Sequence, residues 1–516
     1  MSGSKLFNKD QLKAIKHLTG PAMVIAGPGS GKTTVITKRI RYLIDSGAAR
    51  PSEILVITFT AAAAFEMRSR FIKLSTDSSY TSEPCFGTFH SIFYHFLREH
   101  PAYSNLRLAE QSECVNILKR IVLSIIPDNT FTSDYYIYLL NEISRQKTSL
   151  SSKPCMPLLD KVMPQYRAAM LKAGLIDFDD MLVLCLKLMK DDISVLRHLR
   201  KTYRFLMVDE FQDIDGLQFE IVRLLAAPYN NIFVVGDDDQ SIYGFRGSDP
   251  GIMLKFRDYY PDASFIELFT NYRSSKPIVR AAARLISHNK LRFDKSFEAV
   301  STCRLGIDYV SYRDREEEAE AIVRDILSLP QEIESVAVLF RTHRTGNALR
   351  RCIDSKLQSL HMQENAVSGE LHSGNKAAAP IHGCGNLSTY SDGLGTEVER
   401  ACRLDGMKSD QDEVQNKLIT ERLSSVNLIT FHASKGLEFD AVYIISANEG
   451  ITPLKSAGND EIEEERRLFY VALTRAKKYV HISDTCVLYN KKQNMSRFVR
   501  ESLGLLKIMN VLRHLQ

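Results

Sequence analysis

A glycine-rich stretch near the beginning of the sequence combines the residue types needed to hold the phosphates of a nucleotide. It reads A-G-P-G-S-G-K-T from Ala26 to Thr33, after an apolar run and before an amphipathic, helix-like segment. Closely spaced glycines let backbone N–H groups turn towards phosphate oxygens, a lysine neutralises their charge and a threonine hydroxyl can bind Mg²⁺. The spacing fits the P-loop pattern G-x-x-x-x-G-K-[ST], except that Ala26 stands at its first glycine. The stretch therefore predicts a nucleotide-phosphate site.

Two adjacent carboxylates, Asp209 and Glu210, follow a second apolar run, F-L-M-V. On its own, an Asp-Glu pair at the end of a strand is usually a solvated surface feature. Beside a P-loop, one carboxylate can bind the metal while the other lies near an attacking water. The two motifs together predict ATP hydrolysis.

The segments that must position these residues alternate between short apolar runs and helical patterns. Runs without polar alternation are typical of strands covered on both faces, so they predict parallel sheets and an α/β fold. Eight such runs lie at 22–27, 54–60, 205–210, 231–239, 264–268, 336–341, 426–432 and 441–446. Strand patterns are missing from about 91 to 176, which predicts a helical insertion. Residues 358–416 are rich in Gly, Ser, Asn and His, and this composition favours a loop or a disordered segment.

The overall composition is that of an ordinary globular protein, with a formal net charge of +5 over 516 residues. This mild excess is compatible with nucleic acid but does not by itself argue for it. The nine cysteines contain no C-x-x-C pair, so we expect reduced thiols and no structural metal. No apolar run approaches the length of a membrane span, and no secretory signal is evident, so we expect no membrane partner and a cytoplasmic protein.

A series of long motifs, in a fixed order along the chain, resembles the UvrD/Rep-type superfamily 1 DNA helicases. They are T-F-T-A-A-A-A-F-E-M-R-S-R, G-T-F-H-S, V-D-E-F-Q-D, V-G-D-D-D-Q-S-I-Y-G-F-R-G-S, N-Y-R-S, I-T-F-H-A-S-K-G-L-E-F-D and E-E-E-R-R-L-F-Y-V-A-L-T-R-A-K-K. The resemblance implies two RecA-like lobes with ATP in the cleft between them. It places the first lobe at 1–90 and 177–272, the helical insertion at 91–176, and the second lobe at 273–350 and 421–516. Residues 351–420 would form a shortened, weakly ordered insertion in the second lobe.

The resemblance also implies roles in ATP chemistry for the residues that match these motifs. The first lobe would bind phosphates through Gly29, Ser30, Gly31, Lys32, Thr33 and Thr34. Thr33 and Asp209 would hold Mg²⁺, Glu210 would activate water, and Gln240 would sense the γ-phosphate. Gln11 and Tyr272 would bind adenine, Arg273 the γ-phosphate and Glu438 the ribose, while Arg475 would act as an arginine finger.

On the DNA side, the resemblance assigns Phe59, His90, Tyr243 and Phe245 to stacking on single-stranded bases, with Arg246 near the backbone. Stacking on aromatic rings tolerates every base, which suits a protein that moves along DNA regardless of sequence. Relatives often carry tryptophan at the position of Phe245, and this chain has no tryptophan. A phenylalanine presents a smaller ring to the bases.

Two functions are consistent with these motifs. The first is a DNA-stimulated ATPase that moves 3′ to 5′ on single-stranded or tailed duplex DNA and acts as a helicase. The second is an ATP-switched module that binds DNA or a partner and unwinds little, because the insertion that contacts duplex DNA in relatives is short here. A protein partner could bind the C-terminal tail or this insertion.

Overall fold

The computed structural model describes residues 7–74, 82–148, 156–303, 305–373, 415–455, 458, 461–488 and 490–504, and only the backbone of residues 246 and 362–373. The chain divides into two compact units. The first contains the described residues up to Arg273 together with Asn289–Ser301, and the second contains Ser274–His288 and the described residues from Thr302 onwards. Asn289–Ser301, which we call the return segment, thus brings the chain back to the first unit after a short excursion.

The first unit is built on a parallel sheet whose four inner strands are buried along their whole length. Its strands are β1 (Ala22–Ala26), β2 (Ile54–Thr58), β3 (Cys85–Thr88), β4 (Arg107–Leu108), β5 (Leu175–Ile176), β6 (Phe205–Val208), β7 (Ile232–Gly236) and β8 (Ser264–Leu268). Six of them form the main sheet in the order β3-β2-β6-β7-β1-β8, and every neighbouring pair is parallel. β4 and β5 pair separately. The continuous apolar runs of the sequence correspond to these doubly covered strands.

Helices cover both faces of this sheet. The helices of the first unit are α1 (Lys9–Lys16), α2 (Lys32–Asp45), α3 (Ala61–Leu74), α4 (Phe89–Glu99), α5 (Gln111–Ile125), α6 (Ser133–Thr148), α7 (Pro157–Lys172), α8 (Phe178–Asp191), α9 (Ile193–Thr202), α10 (Gly216–Ala226), α11 (Pro250–Leu254) and α12 (Phe256–Tyr259). α1, α2 and α3 pack on one face, through side chains such as Val35 and Met67. α4, α8, α9 and α10 pack on the other, through side chains such as Phe93 and Leu182.

The helical insertion has a hydrophobic core of its own, formed by α5, α6 and α7 between Ala109 and Leu175. α4 does not belong to it, because Phe89, Phe93 and Phe96 are buried in the core of the main sheet. The separate helical core therefore begins later than residue 91, where the sequence pattern had placed the boundary. An apolar helical face predicts burial, but it does not say which core receives the helix.

The second unit contains another parallel sheet. After β9 (Thr270–Ser275) and β10 (Glu298–Ser301), which pair with each other, come β11 (Ile307–Tyr312), β12 (Val336–Phe340), β13 (Asn427–Thr430), β14 (Phe439–Ile444), β15 (Ala476–Thr485), β16 (Val487–Leu488) and β17 (Lys491–Lys492). The sheet order is β11-β15-β14-β12-β13, with all neighbours parallel. The helices are α13 (Lys276–Ile286), α14 (Arg315–Ser328), α15 (His343–Ser373), α16 (415–424), α17 (Ile462–Leu473) and α18 (Arg497–Leu503). The two parallel sheets confirm the predicted α/β fold.

Part of the stretch expected to be a loop is helical. α15 continues through Gln358 to Ser373, the described part of α16 starts at residue 415, and residues 374–414 lie outside the described part of the chain. Leu349, Ile353 and Leu360 are buried. Their helical spacing continues the apolar face past the point where the composition changes, which explains why the helix extends further than expected.

The beginning of the C-terminal tail packs on its own unit. In α18, Phe498 and Val499 are buried, and Glu501 forms an ion pair with Arg466 of α17 at 2.7 Å. The apolar face of this helix is therefore covered by the chain itself, while residues 505–516 lie outside the described residues. Among the helices that the structure describes, none has the length and apolar character to cross a membrane.

Candidate functional site

The loop between β1 and α2 has the backbone geometry of an anion cradle. Gly29 and Gly31 adopt φ angles of +67° and +87°, which L side chains rarely adopt. A Cβ atom at Gly29 would also lie 2.5 Å from Cβ of Arg273. Lys32 and Thr33 begin α2, whose first N–H groups have no acceptor within the helix and face the loop. These features fit the binding of phosphate oxygens.

Two distant segments bring polar and aromatic side chains to this loop. Nε2 of Gln11 donates to the carbonyl oxygen of Ser30 at 3.0 Å, and Gln11 itself is fixed by a capping box with Asn8. Asn8 in turn donates from Nδ2 to the hydroxyl of Tyr272 at 3.0 Å. The half-exposed Tyr272 is held by its backbone N–H, which donates to the carbonyl oxygen of Gly29 at 3.0 Å. Gln11 and Tyr272 thus flank the same end of the loop.

Arg273 is placed beside the loop by its neighbour Asn271. Asn271 donates from Nδ2 to the carbonyl oxygen of Pro28 at 2.7 Å, and its Oδ1 accepts from the backbone N–H of Arg273 at 2.9 Å. The close approach of Arg273 to Gly29 requires a residue without a side chain at position 29. The N-Y-R segment and the P-loop therefore form one packed unit.

The carboxylates Asp209 and Glu210 follow β6, which is separated from β1 only by β7. Since parallel strands end at the same edge of a sheet, both carboxylates lie at the edge that carries the P-loop. Asp209 is 4% exposed, and its N–H donates to the carbonyl oxygen of Ile57. Glu210 has a φ of 52°, a left-handed conformation that costs a non-glycine residue about 1–2 kcal/mol. Backbone strain of this kind is concentrated at functional sites.

A buried hydrogen-bond chain links Glu210 to the loop that carries Gln240. The side-chain amide of Gln212 donates to a carboxylate oxygen of Glu210, and its Oε1 accepts from the N–H of Asp237 at 2.9 Å. Nε2 of Gln240 donates to Asp237 at 2.6 Å. The hydrogen bonds through Asp237 and Gln212 therefore fix the position of Gln240 relative to Glu210.

Two cations in this network were not predicted from the sequence. Lys295 lies within 2.5–2.8 Å of carboxylate oxygens of Asp237, Asp238 and Asp239, and Arg292 forms two hydrogen bonds with Asp239. Burial acts to raise the pKa of Asp239, but Lys295 and Arg292 bring it below its ordinary value. The sequence did contain one signal for such cations, the three consecutive acidic residues after an apolar run, since acidic residues need cations when they are buried.

The aromatic residues expected to contact bases lie in three small groups. Half-buried Phe59 packs edge-to-face on Phe89, with ring centroids 5.4 Å apart. The rings of Tyr243 and Phe245 contact edge-to-face with centroids 6.1 Å apart, and Phe245 is 66% exposed. The side chain of Arg246 lies outside the described part of the chain.

His90 forms the third group with a ring that the sequence analysis did not assign to DNA. Its imidazole lies 5.7 Å from the exposed ring of Phe178, in edge-to-face geometry. Burial lowers the pKa of His90, so it is neutral at pH 7 and suits stacking better than pairing with phosphate. Phe178 could have been noticed as an apolar residue exposed at the first turn of a helix.

The two predicted residues of the second unit lie close together. The guanidinium of Arg475 donates to the carbonyl oxygens of Val471 and Leu437 at 2.9 and 3.2 Å, and Arg475 is 2% exposed. Glu438 follows Leu437 directly, and its carboxylate pairs with Lys477 at 3.0 Å. The segments that carry Glu438 and Arg475 are thus joined within the second unit, and their roles towards ATP stay predictions.

This arrangement defines the class of protein first. A glycine cradle at a helix N-terminus, two carboxylates at the same edge of a parallel sheet and a second parallel α/β unit are the features of a P-loop nucleotide-binding enzyme.

Comparison with known families then gives the family. Residues 7–261 match the family model of the UvrD/REP helicase N-terminal domain. Residues 266–370 and 403–486 match that of the UvrD-like helicase C-terminal domain. The chain belongs to the UvrD-like helicase family and is an enzyme of the helicase class, which confirms the resemblance seen in its motifs.

Individual relatives are similar over almost the whole chain. YjcD of Bacillus subtilis (strain 168), whose name places it among ATP-dependent DNA helicases, is 29% identical over 620 residues, covering 95% of this chain and 80% of the relative. The ATP-dependent DNA helicase PcrA of Staphylococcus aureus (strain MRSA252) is 27% identical over 631 residues, covering 96% and 86%. PcrA of Staphylococcus epidermidis is 26% identical over 634 residues, with the same coverage. The aligned lengths exceed the 516 residues of this chain, so each relative carries segments that this chain lacks.

Proposed function

We propose that this protein is an ATP-driven motor that moves 3′ to 5′ along single-stranded DNA and thereby separates strands. The observation that carries the proposal is the short path, within the first unit, between the residues expected at the γ-phosphate and the aromatic residues expected to contact DNA. Gln240, tied to Glu210 through Asp237 and Gln212, lies in the same loop as Tyr243 and the exposed Phe245. A change at the γ-phosphate can therefore reach the base-stacking rings over a few residues.

In this proposal, Lys32 binds the β- and γ-phosphates, and backbone N–H groups of residues 29–34 complete the cradle. Gln11 and Tyr272 contact adenine, since both lie at one end of the phosphate loop. Glu210 accepts a proton from the attacking water, while Arg273 stabilises charge on the γ-phosphate. The hydroxyl of Thr33 and the carboxylate of Asp209 are oxygen donors of the type that Mg²⁺ prefers. When bound there, Mg²⁺ neutralises phosphate charge.

On the DNA side, Tyr243, Phe245, His90 and Phe59 stack on bases, and Phe178 joins them through its contact with His90. Each stacked base is worth roughly 1–3 kcal/mol and requires no particular sequence. Arg246 contacts the DNA backbone. In the ATP site, Glu438 contacts the ribose and Arg475 stabilises the transition state of hydrolysis. Together these roles make hydrolysis depend on bound DNA.

The direction of movement is tested by displacement of streptavidin from end-labelled single strands. We expect ATP-dependent displacement from a biotin at the 5′ end, towards which a 3′-to-5′ motor moves, and little from the 3′ end. Lys32→Ala serves as the control without hydrolysis. Faster displacement from the 3′ end would contradict the proposed polarity, and no displacement from either end despite ATP turnover would contradict movement altogether.

A second function, an ATP-switched module that binds DNA or a partner and unwinds little, is favoured by the segments that relatives have and this chain lacks. The C-terminal family match is interrupted between residues 370 and 403, within the region expected to be a shortened insertion. Strand displacement on a 3′-tailed duplex, measured beside ATP turnover, separates the two functions. Turnover with strand separation supports the motor, and turnover without it supports the module.

A further inference from the structure

Three consecutive aspartates, Asp237 to Asp239, are buried directly after β7, at the edge of the sheet that carries the phosphate loop. Buried carboxylates are destabilising unless cations or hydrogen-bond donors compensate them. Here the compensation comes from the return segment. Lys295, whose side chain is 0% exposed, reaches all three aspartates, and Arg292 binds Asp239 in a bidentate geometry.

The geometry around this cluster is specific, because Asp237 and Asp238 also bind groups other than the two cations. Asp237 accepts from Gln240, and its N–H donates to Gln212, which holds Glu210. Asp238 accepts from the backbone N–H of Phe293 at 2.9 Å, so the return segment is tied down by its main chain as well. Lys295 is therefore linked to Gln240 through Asp237 alone, and to Glu210 through Asp237 and Gln212.

The same segment also contacts the phosphate loop. The ring of Phe297 lies against Gly27 so closely that a Cβ atom at position 27 would overlap it. Phe297 also packs edge-to-face on Phe269 at 5.8 Å, and the N–H of Glu298 donates to the carbonyl oxygen of Phe269. The return segment thus supports the phosphate loop with Phe297 and the Gln240 loop with Lys295.

We propose that Lys295, assisted by Arg292, is a positioning residue for ATP hydrolysis that holds Asp237 so that Gln240 and Glu210 keep their orientations. This inference rests on the proposed ATPase function. It predicts that a variant without the Lys295 cation binds ATP but hydrolyses it slowly, because the phosphate loop, Gln11 and Tyr272 are left intact. A residue that only stabilised the fold would lower binding and turnover together.

The test compares Lys295→Met, Lys295→Arg and Arg292→Gln with the wild type, and Lys290→Met serves as the control because it changes an exposed lysine of the same segment. The measurements are kcat and KM for ATP with saturating single-stranded DNA, affinity for a fluorescent ATP analogue, and Tm. For Lys295→Met we expect kcat to fall at least about tenfold while nucleotide affinity changes less than about threefold. Lys295→Arg should recover part of kcat, Arg292→Gln should lose less, and Lys290→Met should match the wild type.

The pH profile gives a second readout that a purely structural role would not change. The charged groups facing the cluster are Lys295 and Arg292 from the return segment and the three aspartates themselves. Without Lys295, burial favours the protonated forms of Asp238 and Asp239, so lowering the pH supplies the missing neutralisation. The ratio of the Lys295→Met kcat to the wild-type kcat should therefore rise as the pH is lowered from about 8 to about 6.

A folded Lys295→Met protein with wild-type kcat, or with kcat and nucleotide affinity reduced to the same extent, would overturn the inference. If Lys295→Met does not fold, Arg292→Gln decides: reduced kcat at unchanged affinity supports the inference, and unchanged kcat overturns it. Absence of turnover in the wild type would instead overturn the proposed function and this inference with it.

Discussion

Gln11 donates from its side-chain amide to the carbonyl oxygen of Ser30 at 3.0 Å, so a residue of α1 is fastened to the phosphate loop. Its Oε1 accepts from the backbone N–H of Asn8 at 3.1 Å, which fixes the orientation of the amide group. The contact supports the loop and, in the proposed function, presents Gln11 to adenine. Both tasks depend on the amide nitrogen as a donor.

Gln11→Glu should weaken ATP binding, because the carboxylate keeps the capping contact with Asn8 but repels the carbonyl oxygen of Ser30. We expect KM for ATP to rise about tenfold, equivalent to about 1.4 kcal/mol, with a smaller change for GTP. Steady-state turnover with both nucleotides measures this. Lys13→Ala, on the exposed face of the same helix, is the control. An equal rise of KM for ATP and GTP would show that Gln11 supports the loop without reading the base.

Glu210→Gln should abolish hydrolysis while leaving nucleotide binding in place. The amide has the same shape and can still accept from Gln212, but it cannot take a proton from water. We expect kcat to fall at least about a hundredfold, with analogue affinity within about threefold of the wild type. Residual turnover near the wild-type rate would exclude Glu210 as the general base.

Phe245→Ala should weaken binding of single-stranded DNA by roughly 1–3 kcal/mol, because an exposed stacking surface is removed. Phe245→Trp should strengthen binding, since the indole offers a larger ring to the base. Titration of fluorescent oligonucleotides measures both affinities. Tyr229→Ala is the matched control, because Tyr229 is 55% exposed but precedes β7, at the opposite edge of the sheet. Equal losses for Phe245→Ala and Tyr229→Ala would contradict a specific base contact.

The buried carboxyl of Asp215 should make the free energy of unfolding depend on pH. Burial, with a contribution from Asp179, raises the pKa of Asp215 to about 6, although N–H groups at the start of α10 counteract it. The unfolded carboxyl titrates near 3.9, so the folded state binds the proton more tightly and stability falls as pH rises through about 6.

Asp215→Asn removes this titration and keeps an acceptor for the N–H of Gln218, which Asp215 now binds at 2.7 Å. The loss of stability between about pH 5 and pH 8 should be smaller in the variant, by about 1.4 kcal/mol. Urea denaturation of both proteins at the two pH values measures it, and titrations common to both proteins cancel. An identical loss in the two proteins would show that Asp215 does not titrate in this range.

The fold was predictable because the strands are buried on both faces and therefore continuous in apolar character. The run before Asp209 became β6, and the run before Asp237 became β7. The core that a helix joins was harder to predict, as α4 shows. Apolar periodicity is the same whether a helix packs on a sheet or on other helices. For the same reason, the helical face that extends α15 was hidden by a local change of composition.

The site residues that lie in long motifs were predicted from the sequence. Those that bind residues far away in the chain, and have no local pattern of their own, were missed. Gln11 and Tyr272 were singled out from motifs, and the structure places both beside the phosphate loop. Lys295 and Arg292 lie 58 and 53 residues from aspartates that they bind, in a segment with no recognisable pattern. Only the folded chain shows that the return segment belongs to the first unit.

The measurement that tests the central claim most directly is ATP turnover of the wild type with and without single-stranded DNA, beside Lys32→Ala. We predict strong stimulation by DNA and no turnover in Lys32→Ala, which should keep the wild-type fold because Lys32 is only half-buried, at the start of α2. Turnover that is indifferent to DNA, or that persists in a folded Lys32→Ala protein, would contradict the proposed motor function.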